Sequence, residues 1–397
     1  MKMNKCEPES KEFKDIISFN KKFGLYLHIP FCQGKCRYCD FYSIKYSKKA
    51  VKDYLICLKK ELQFYSKYLS KKKLRTIYFG GGTAGLLEVA EIKAVLEFVF
   101  EQFSYPVKKE ITVEINPDSF SENKAKGYLK AGVNRVSIGV QSFNDRELQL
   151  LGRRHNSQDA IQTIELVSNY YNNFNIDLIF AIPGQLAKDW ENSIKRAISF
   201  QPTHISLYNL EINQGTEIGR MIARGDIQKV SEEMDAKFYL QARDILLREG
   251  YEHYEISNFA SPGRRSIHNS LYWKYLPYLG LGPAAHSFNG HLRFSNSPDL
   301  KKYLKKISSG DLPLLEIKKL SEKERMAEYI FMGLRLMEGI TLLDFKREFA
   351  MDIIEIYQDV IDDLFRLGLL KINDGRIKLT EKGLLLANEV FMRFLPA

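Results

Sequence analysis

Three of the five cysteines lie within eight residues, at positions 32, 36 and 39 of the segment HIPFCQGKCRYCDF. Clustering of this kind is typical of a metal site in a reducing compartment and not of a disulfide framework. Thiolates are the usual ligands of iron–sulfur clusters, so Cys32, Cys36 and Cys39 could bind three irons of a [4Fe–4S] cluster. The fourth iron would then lack a protein ligand and could coordinate a small molecule that carries an amine and a carboxylate.

A zinc site is the alternative for these cysteines. Zinc sites usually complete their shell with a nearby fourth Cys or His in a recognisable spacing. Here His28 is the only close candidate, and it belongs to the end of a predicted strand. The sequence therefore favours the cluster. The other two cysteines, Cys6 in the N-terminal tail and Cys57 on a predicted helix, are interpreted as bystanders.

The cysteine loop follows the first of six strand and helix patterns between residues 23 and 250. The strand candidates are short apolar runs, as expected where helices cover a parallel sheet. They are Gly24–Ile29, Arg75–Phe79, Ile111–Ile115, Arg135–Val140, Ile176–Ala181 and His204–Leu210. Six such units predict an α/β fold with right-handed crossovers, in the form of a partial (β/α)6 barrel, with a flat doubly wound sheet as the alternative. In either fold, ligands gather beyond the C-terminal ends of the strands.

The rest of the chain is predicted to form a connecting segment and a second domain. Residues 251–315 are rich in aromatic residues, glycine and proline and show weak periodicity. Helical patterns at Glu322–Leu336 and Ile353–Leu367 precede a predicted hairpin, LLKINDGRIKLT, and a final helix from Lys382, which together indicate a small winged-helix-like α+β domain. The predicted domains are a tail at 1–22, the barrel at 23–250, the connecting segment at 251–315 and the C-terminal domain at 316–397.

The overall composition is that of a soluble globular protein, with 45% hydrophobic and 27% charged residues. No stretch of the sequence is long and apolar enough to cross a bilayer, and the charged N-terminus lacks the apolar core of a signal peptide. We therefore expect a cytoplasmic protein. The net charge of +10 is interpreted as solvated surface, because much of it is lysine scattered along predicted helical faces. No aromatic and basic RNA-recognition pattern accompanies it.

Six segments, in order along the chain, resemble the radical S-adenosylmethionine superfamily and, within it, the oxygen-independent coproporphyrinogen III oxidase-like branch. They are YLHIPFCQGKCRYCDF, FGGGT, EINPD, RVSIGVQSF, DLIFAIPGQ and HISLYNLE. The resemblance implies a [4Fe–4S] cluster on the three cysteines and S-adenosylmethionine on the open iron. It also implies an electron donor such as flavodoxin or ferredoxin, since a reduced cluster would cleave S-adenosylmethionine to a 5′-deoxyadenosyl radical.

The same resemblance implies which residues contact S-adenosylmethionine. The glycine run after the second strand lets backbone groups approach a ligand without obstruction by a Cβ atom. By similarity to the family, the cofactor-binding residues are Tyr26, Tyr38, Gly81, Gly82, Thr83, Glu114, Gln141, Arg153 and Asp177. The chain departs from the family where GGGT usually continues with Pro-Ser, because it has Ala84-Gly85 there. This departure concerns the local turn and not the glycines.

Two branches of the superfamily share these motifs, the oxidases and a group of heme chaperones. The oxidases typically carry a longer N-terminal extension and a fourth cysteine two residues after the third, where this chain has Phe41. The segment His268-Asn-Ser-Leu-Tyr-Trp matches the H-N-x-x-Y-W motif linked to heme binding in the chaperones, which implies that His268 is a heme ligand. The residues alone favour a histidine held by hydrogen bonds in an aromatic-rich loop. His286 and His253 are weaker candidates for a structural role or a second ligand.

The predicted function is therefore that of a heme chaperone, which binds heme and passes it to an acceptor protein in the cytoplasm or at the membrane. The first alternative is oxidative decarboxylation of coproporphyrinogen III. A radical enzyme that modifies RNA is a second alternative, although no nucleic-acid partner is expected. A purely binding protein regulated by its cluster is a third.

Overall fold

The computed structural model describes residues 11–19, 21–69, 74–103 and 109–396, so that Cys6 lies outside the described residues. The centre of the fold is a twelve-stranded sheet, and seven neighbouring strands in it are parallel, six of which are the predicted ones. These six strands, numbered β1 to β6, are Phe23–Ile29, Leu74–Gly81, Glu110–Ile115, Arg135–Gln141, Phe174–Phe180 and His204–Asn209. Each lies within two residues of its predicted limits. The predicted α/β class and its six parallel units are confirmed.

The helices between these strands are amphipathic and bury one face in the main hydrophobic core. In the longest, Lys48–Leu69, the buried residues Val51, Leu58 and Leu62 recur at helical spacing. The shorter helix Glu122–Ala131 begins at a Ser121 side-chain cap and ends at Gly132, whose φ of 108° suits glycine. The other helices of this region are Val89–Gln102, Asp145–Leu151, Ser157–Ser168, Ala187–Ser199, Glu217–Ala223 and Glu232–Arg248.

Six further strands extend the sheet on both sides, and the sequence analysis did not predict them. Numbered β7 to β12, they are Glu252–Glu255, Asn258–Ala260, Tyr278–Leu281, His286–Phe288, Leu292–Asn296 and Leu314–Lys319. Strand β9 pairs in parallel with β1 and continues through antiparallel β10, β11 and β12, whereas β8 and β7 extend the edge at β6. Five of these strands have three to five residues, so pairing with the sheet, and not local periodicity, determines them.

The C-terminal residues form a separate hydrophobic cluster around Ile330, Phe345 and Leu364. The predicted hairpin joins Leu370–Asn373 to Arg376–Leu379, and both turn residues, Asp374 and Gly375, have positive φ. The helices of this region are Glu322–Leu334, Leu342–Phe349, Ile353–Ile356, Gln358–Arg366, Glu381–Leu385 and Ala387–Met392, so the helix expected over 353–367 is divided in two. Among the described helices, none has the length and apolar character needed to cross a membrane.

Candidate cofactor site

A cavity of about 430 Å³, which we call the cluster cavity, lies at the C-terminal ends of the central strands. The loop that carries Cys32, Cys36 and Cys39 forms one wall. The predicted cofactor-binding residues that line the cavity are Tyr38, Gly81, Gly82, Thr83, Glu114, Gln141, Arg153 and Asp177. Tyr26 is not among them. The fold therefore brings residues from four successive strands or strand ends to one place, as expected for an α/β sheet.

Backbone pairing fixes the position of the cysteine loop. The two-residue strands Phe31–Cys32 and Ile44–Lys45 pair in parallel, and the N–H of Tyr46 donates to the carbonyl of Cys32 at 2.9 Å. Inside the loop, the N–H of Arg37 donates to the carbonyl of Leu151 at 3.0 Å. Because both ends and the middle are attached to the fold, the three free, partly buried thiols are held at the cavity wall.

Two of the three sulfur atoms already have hydrogen-bond donors. The hydroxyl of Thr83 donates to Cys32 Sγ at 3.7 Å, and Arg153 Nη1 donates to Cys36 Sγ at 3.4 Å. Arg153 also donates from Nη2 to Gly139 O at 2.7 Å and to Asn116 Oδ1 at 2.8 Å. Its buried Nε has no partner among the described residues. A hydroxyl and a guanidinium beside the sulfurs can donate hydrogen bonds to thiolates, which are the forms that bind iron.

Cys32 and Cys39 are thiols in the absence of iron. Burial raises the pKa of Cys39 to about 11 and also raises the pKa of Cys32. Cluster assembly must therefore release protons from the loop. In the described part of the chain, no group of three or more His, Cys, Asp and Glu side chains could hold a single metal ion. In a cubane each thiolate binds a different iron, so the loop fits a cluster through its three separate sulfurs and their donors.

The glycine turn after β2 packs directly against the cysteine loop. Gly82 donates its N–H to Ile29 O at 2.8 Å, and a Cβ at this position would lie 3.0 Å from Cys32 Sγ and 2.7 Å from Phe31 O. Glycine is therefore required for the close approach of the two backbones. The unusual Ala84-Gly85 pair forms a short 3-10 turn, in which a Cβ on Gly85 would lie 2.9 Å from Ile115 Cγ2.

Two partly buried acidic residues line the cluster cavity. Glu114 accepts hydrogen bonds from Tyr78 OH at 2.7 Å and from the N–H of Gly81 at 3.1 Å. Asp177 accepts from Asn175 Nδ2 at 2.7 Å and from Ser137 Oγ at 3.1 Å. Burial raises the pKa of Glu114 to about 7 and also raises that of Asp177. These groups can accept hydrogen bonds from hydroxyl or ammonium groups of a ligand.

A second cavity, of about 520 Å³, lies on the other side of the loop residues Asp40 and Phe41, which line both cavities. We call it the aromatic cavity because of its wall, which contains Phe41, Tyr272, Trp273, Tyr275, Tyr278 and Phe288. Tyr26 lines this cavity and bonds to His28 Nδ1 at 3.0 Å. The structure thus separates Tyr26 from the other predicted cofactor-binding residues.

His268 lies in the core and does not line either cavity. Its Nδ1 is 2.7 Å from Thr76 Oγ1 and its Nε2 is 2.8 Å from Tyr272 OH, so that both ring nitrogens are hydrogen-bonded. Packing is tight, since a Cβ at Gly24 would lie 3.2 Å from His268 Cε1. Burial lowers the pKa of His268 to about 3. Iron binding by His268 requires the loss of one of these two hydrogen bonds, and its role as heme ligand stays a prediction.

The structure adds Asn116 to the residues that matter at the site. Asn116 donates to Thr83 Oγ1 at 2.9 Å and accepts from Arg153, so it connects the glycine turn with the guanidinium that touches Cys36. Asn116 belongs to the motif EINPD, but the sequence analysis assigned a role only to Glu114 in that motif. Ser137 was missed because it contacts Asp177 from the neighbouring strand, and Asn175 was missed because its place two residues before Asp177 in the same strand matches no motif.

Two family models match the chain. One, described as the radical SAM superfamily, matches residues 26–197, which contain the cysteine loop, the end of β1 and the whole of β2 to β5. The other, described as the HemN C-terminal domain, matches residues 320–386. Among solved structures, coproporphyrinogen III oxidase (HemN) from Escherichia coli superposes with a TM-score of 0.85 over 98% of this chain and 94% of the oxidase, at 21% identity. This likeness shows that the fold is that of a radical SAM protein with the associated C-terminal domain.

Curated relatives are similar over nearly the whole chain. The protein named heme chaperone HemW from Lactococcus lactis is 34% identical over 94% of this chain and 98% of its own length. The protein of the same name from Bacillus subtilis is 33% identical over 93% of this chain and 98% of its own length. The chain belongs to the radical SAM superfamily and, within it, to the family of the HemW proteins. Membership of this superfamily implies a [4Fe–4S] cluster and S-adenosylmethionine.

Proposed function

We propose that this protein is a heme chaperone, which binds heme and transfers it to an acceptor protein. The observation that carries this proposal is the similarity, over nearly the full length of both chains, to proteins named heme chaperone HemW. Phe41 also supports it, because this side chain stands where the oxidases carry a fourth cysteine. The aromatic cavity provides an apolar volume of the size of a ligand pocket.

Cys32, Cys36 and Cys39 are the proposed cluster ligands, and Thr83 and Arg153 would keep two of them in place. When bound, the cluster supplies a single electron for reductive cleavage of S-adenosylmethionine, with flavodoxin or ferredoxin as the proposed electron donor. The wall of the cluster cavity would bind and orient S-adenosylmethionine. Gly81, Gly82 and Thr83 would contact it through the backbone of the glycine turn. The predicted contacts also include Tyr26, although its side chain lies in the other cavity.

The carboxylates of Glu114 and Asp177 would accept hydrogen bonds from the ligand, with Gln141 beside them. These acidic groups lie in a half-enclosed cavity, where limited access of water strengthens polar contacts.

The acceptor of heme is proposed to be a cytoplasmic protein or one at the membrane surface, and contact with a membrane would then be peripheral. The net charge of +10 is compatible with such a contact.

Oxidative decarboxylation of coproporphyrinogen III is the second candidate, and the superposition on the Escherichia coli oxidase favours it. The two functions can be separated by anaerobic reconstitution followed by titration with heme and, in a separate experiment, incubation with coproporphyrinogen III. We expect a Soret band on addition of heme and no loss of carboxyl groups from the porphyrinogen. A decarboxylated product would assign the protein to the oxidases, and an absent Soret band would refute the chaperone function.

A further inference from the structure

The aromatic cavity has walls suited to a flat apolar ligand, and it has an accessible metal-ligating side chain at its edge. Tyr272 and Tyr278 contact each other edge to face with ring centroids 4.6 Å apart, and Tyr275 and Phe288 have centroids 4.4 Å apart. Aromatic walls of this kind bind π systems through dispersion and edge-to-face contacts. The cavity is open to solvent, so a ligand can enter and leave without unfolding of the domain.

Two histidines line this cavity, His28 and His286. The ring nitrogens of His28 are both engaged, Nδ1 with Tyr26 OH at 3.0 Å and Nε2 with Tyr42 O at 3.2 Å. His286 begins strand β10 on the exposed side, and its ring makes no hydrogen bond to another described residue. Partial burial lowers the pKa of His286, so that at neutral pH the ring carries a free lone pair.

The H-N-x-x-Y-W segment contributes to the same cavity through its last two residues. Tyr272 and Trp273 line the wall, whereas His268 lies behind it and bonds to Tyr272 OH through Nε2. The buried indole Nε1–H of Trp273 has no hydrogen-bond partner among the described residues. The segment can therefore serve heme binding by forming the wall, without His268 touching the ligand.

Resting on the proposed function, we propose that heme occupies the aromatic cavity with a ring nitrogen of His286 as its iron ligand. Imidazole is a common axial ligand of heme iron, and His286 presents one at the edge of an aromatic wall. His268 then holds Tyr272 in that wall. Phe41, which is 65% exposed, lies between the heme and the cluster cavity, so both sites share the loop residues that follow Cys39.

The test is a titration of the full-length, cluster-reconstituted protein with ferric heme, followed by absorption spectra of the oxidised and reduced forms. The variants are H286A, H286Y, H268A and, as a matched control, H291A. His291 is also exposed and lies in the same hairpin, but it does not line the aromatic cavity. We expect H286A to lose the Soret band of the histidine-bound heme and free imidazole to restore it. H286Y should bind heme with the altered spectrum of a phenolate ligand.

Each outcome assigns the ligand or rejects the proposal. Retention of the unaltered spectrum in both H286A and H286Y would overturn it. Loss of the band in H268A together with its retention in H286A would also overturn it and make His268 the ligand. If neither the unaltered protein nor H291A binds heme, the result refutes the proposed chaperone function and not only the assignment of His286 as the iron ligand.

Discussion

Replacement of Glu114 with glutamine is expected to flatten the pH dependence of folding of the cluster-free protein. The residue is partly buried, and its carboxyl group accepts hydrogen bonds from Tyr78 and Gly81. Burial disfavours its charged form and raises its pKa from the usual 4.5 to about 7. Between these two values the folded protein keeps a proton that the unfolded chain releases. The free energy of unfolding contributed by Glu114 therefore falls as the pH rises through this window.

The size of the effect follows from the two pKa values of Glu114. At about 1.4 kcal/mol for each pKa unit, the gap between 4.5 and about 7 corresponds to about 3 kcal/mol. Of this, about 2 kcal/mol falls between pH 5 and pH 8, because the titration has already begun at pH 5. Glutamine does not ionise. The unfolding free energy of E114Q should therefore fall by about 2 kcal/mol less than that of the unaltered protein over this range.

Urea denaturation at pH 5 and pH 8 measures this difference, and Glu61 provides the matched control. Glu61 is fully buried and also has a pKa raised to about 7, but its partners Asn296 and Tyr303 lie away from the cluster cavity. E61Q should flatten the same pH dependence without weakening S-adenosylmethionine binding to the reconstituted protein. E114Q should weaken that binding, because a hydrogen bond to a charged group contributes about 1.5–3 kcal/mol.

Two results would refute this reasoning. An unchanged pH dependence in E114Q would show that burial of this carboxyl group does not raise its pKa. Equal loss of S-adenosylmethionine affinity in E61Q and E114Q, measured by calorimetry, would show that the effect is global and that Glu114 has no direct contact with the cofactor.

Three further substitutions test the cluster cavity. C36A should abolish binding of the four-iron cluster, measured as iron per chain, whereas C57A should retain it; equal iron in both would remove Cys36 from the ligand set. G82A places a Cβ 3.0 Å from the nearest clustered sulfur, so we expect a destabilisation of about 1–3 kcal/mol and a lower cluster content. The control is G215A, which should behave as the unaltered protein because no atom lies within 4 Å of its new Cβ. Equal loss of stability and of cluster content in G82A and G215A would argue against crowding at the sulfur. R153K keeps the charge but loses the forked donors, so S-adenosylmethionine affinity should fall by about tenfold, and calorimetry showing no change would contradict the assigned contact.

The cysteine loop and the six central strands are features that follow from the local sequence. The spacing of the cysteines predicts three cluster ligands from one short segment, and the apolar runs of the six central strands are long enough to mark those strands. Once those strands are parallel, polar residues at their C-terminal ends must share one edge of the sheet. Glu114, Gln141 and Asp177 therefore could be placed beside the glycine turn from the sequence, and the structure has them in one cavity.

Tertiary contacts decided the environment of His268 and the extent of the sheet. Its hydrogen-bond partner Thr76 is 192 residues away, and Glu110, which accepts from its backbone N–H, is 158 residues away. A local motif cannot predict whether the imidazole ring of His268 is exposed or buried. Strands such as β8 and β10 have three residues each and exist because neighbouring strands pair with them. Residue types and spacing thus determined the chemistry available to this protein, whereas long-range pairing determined which histidines line the aromatic cavity.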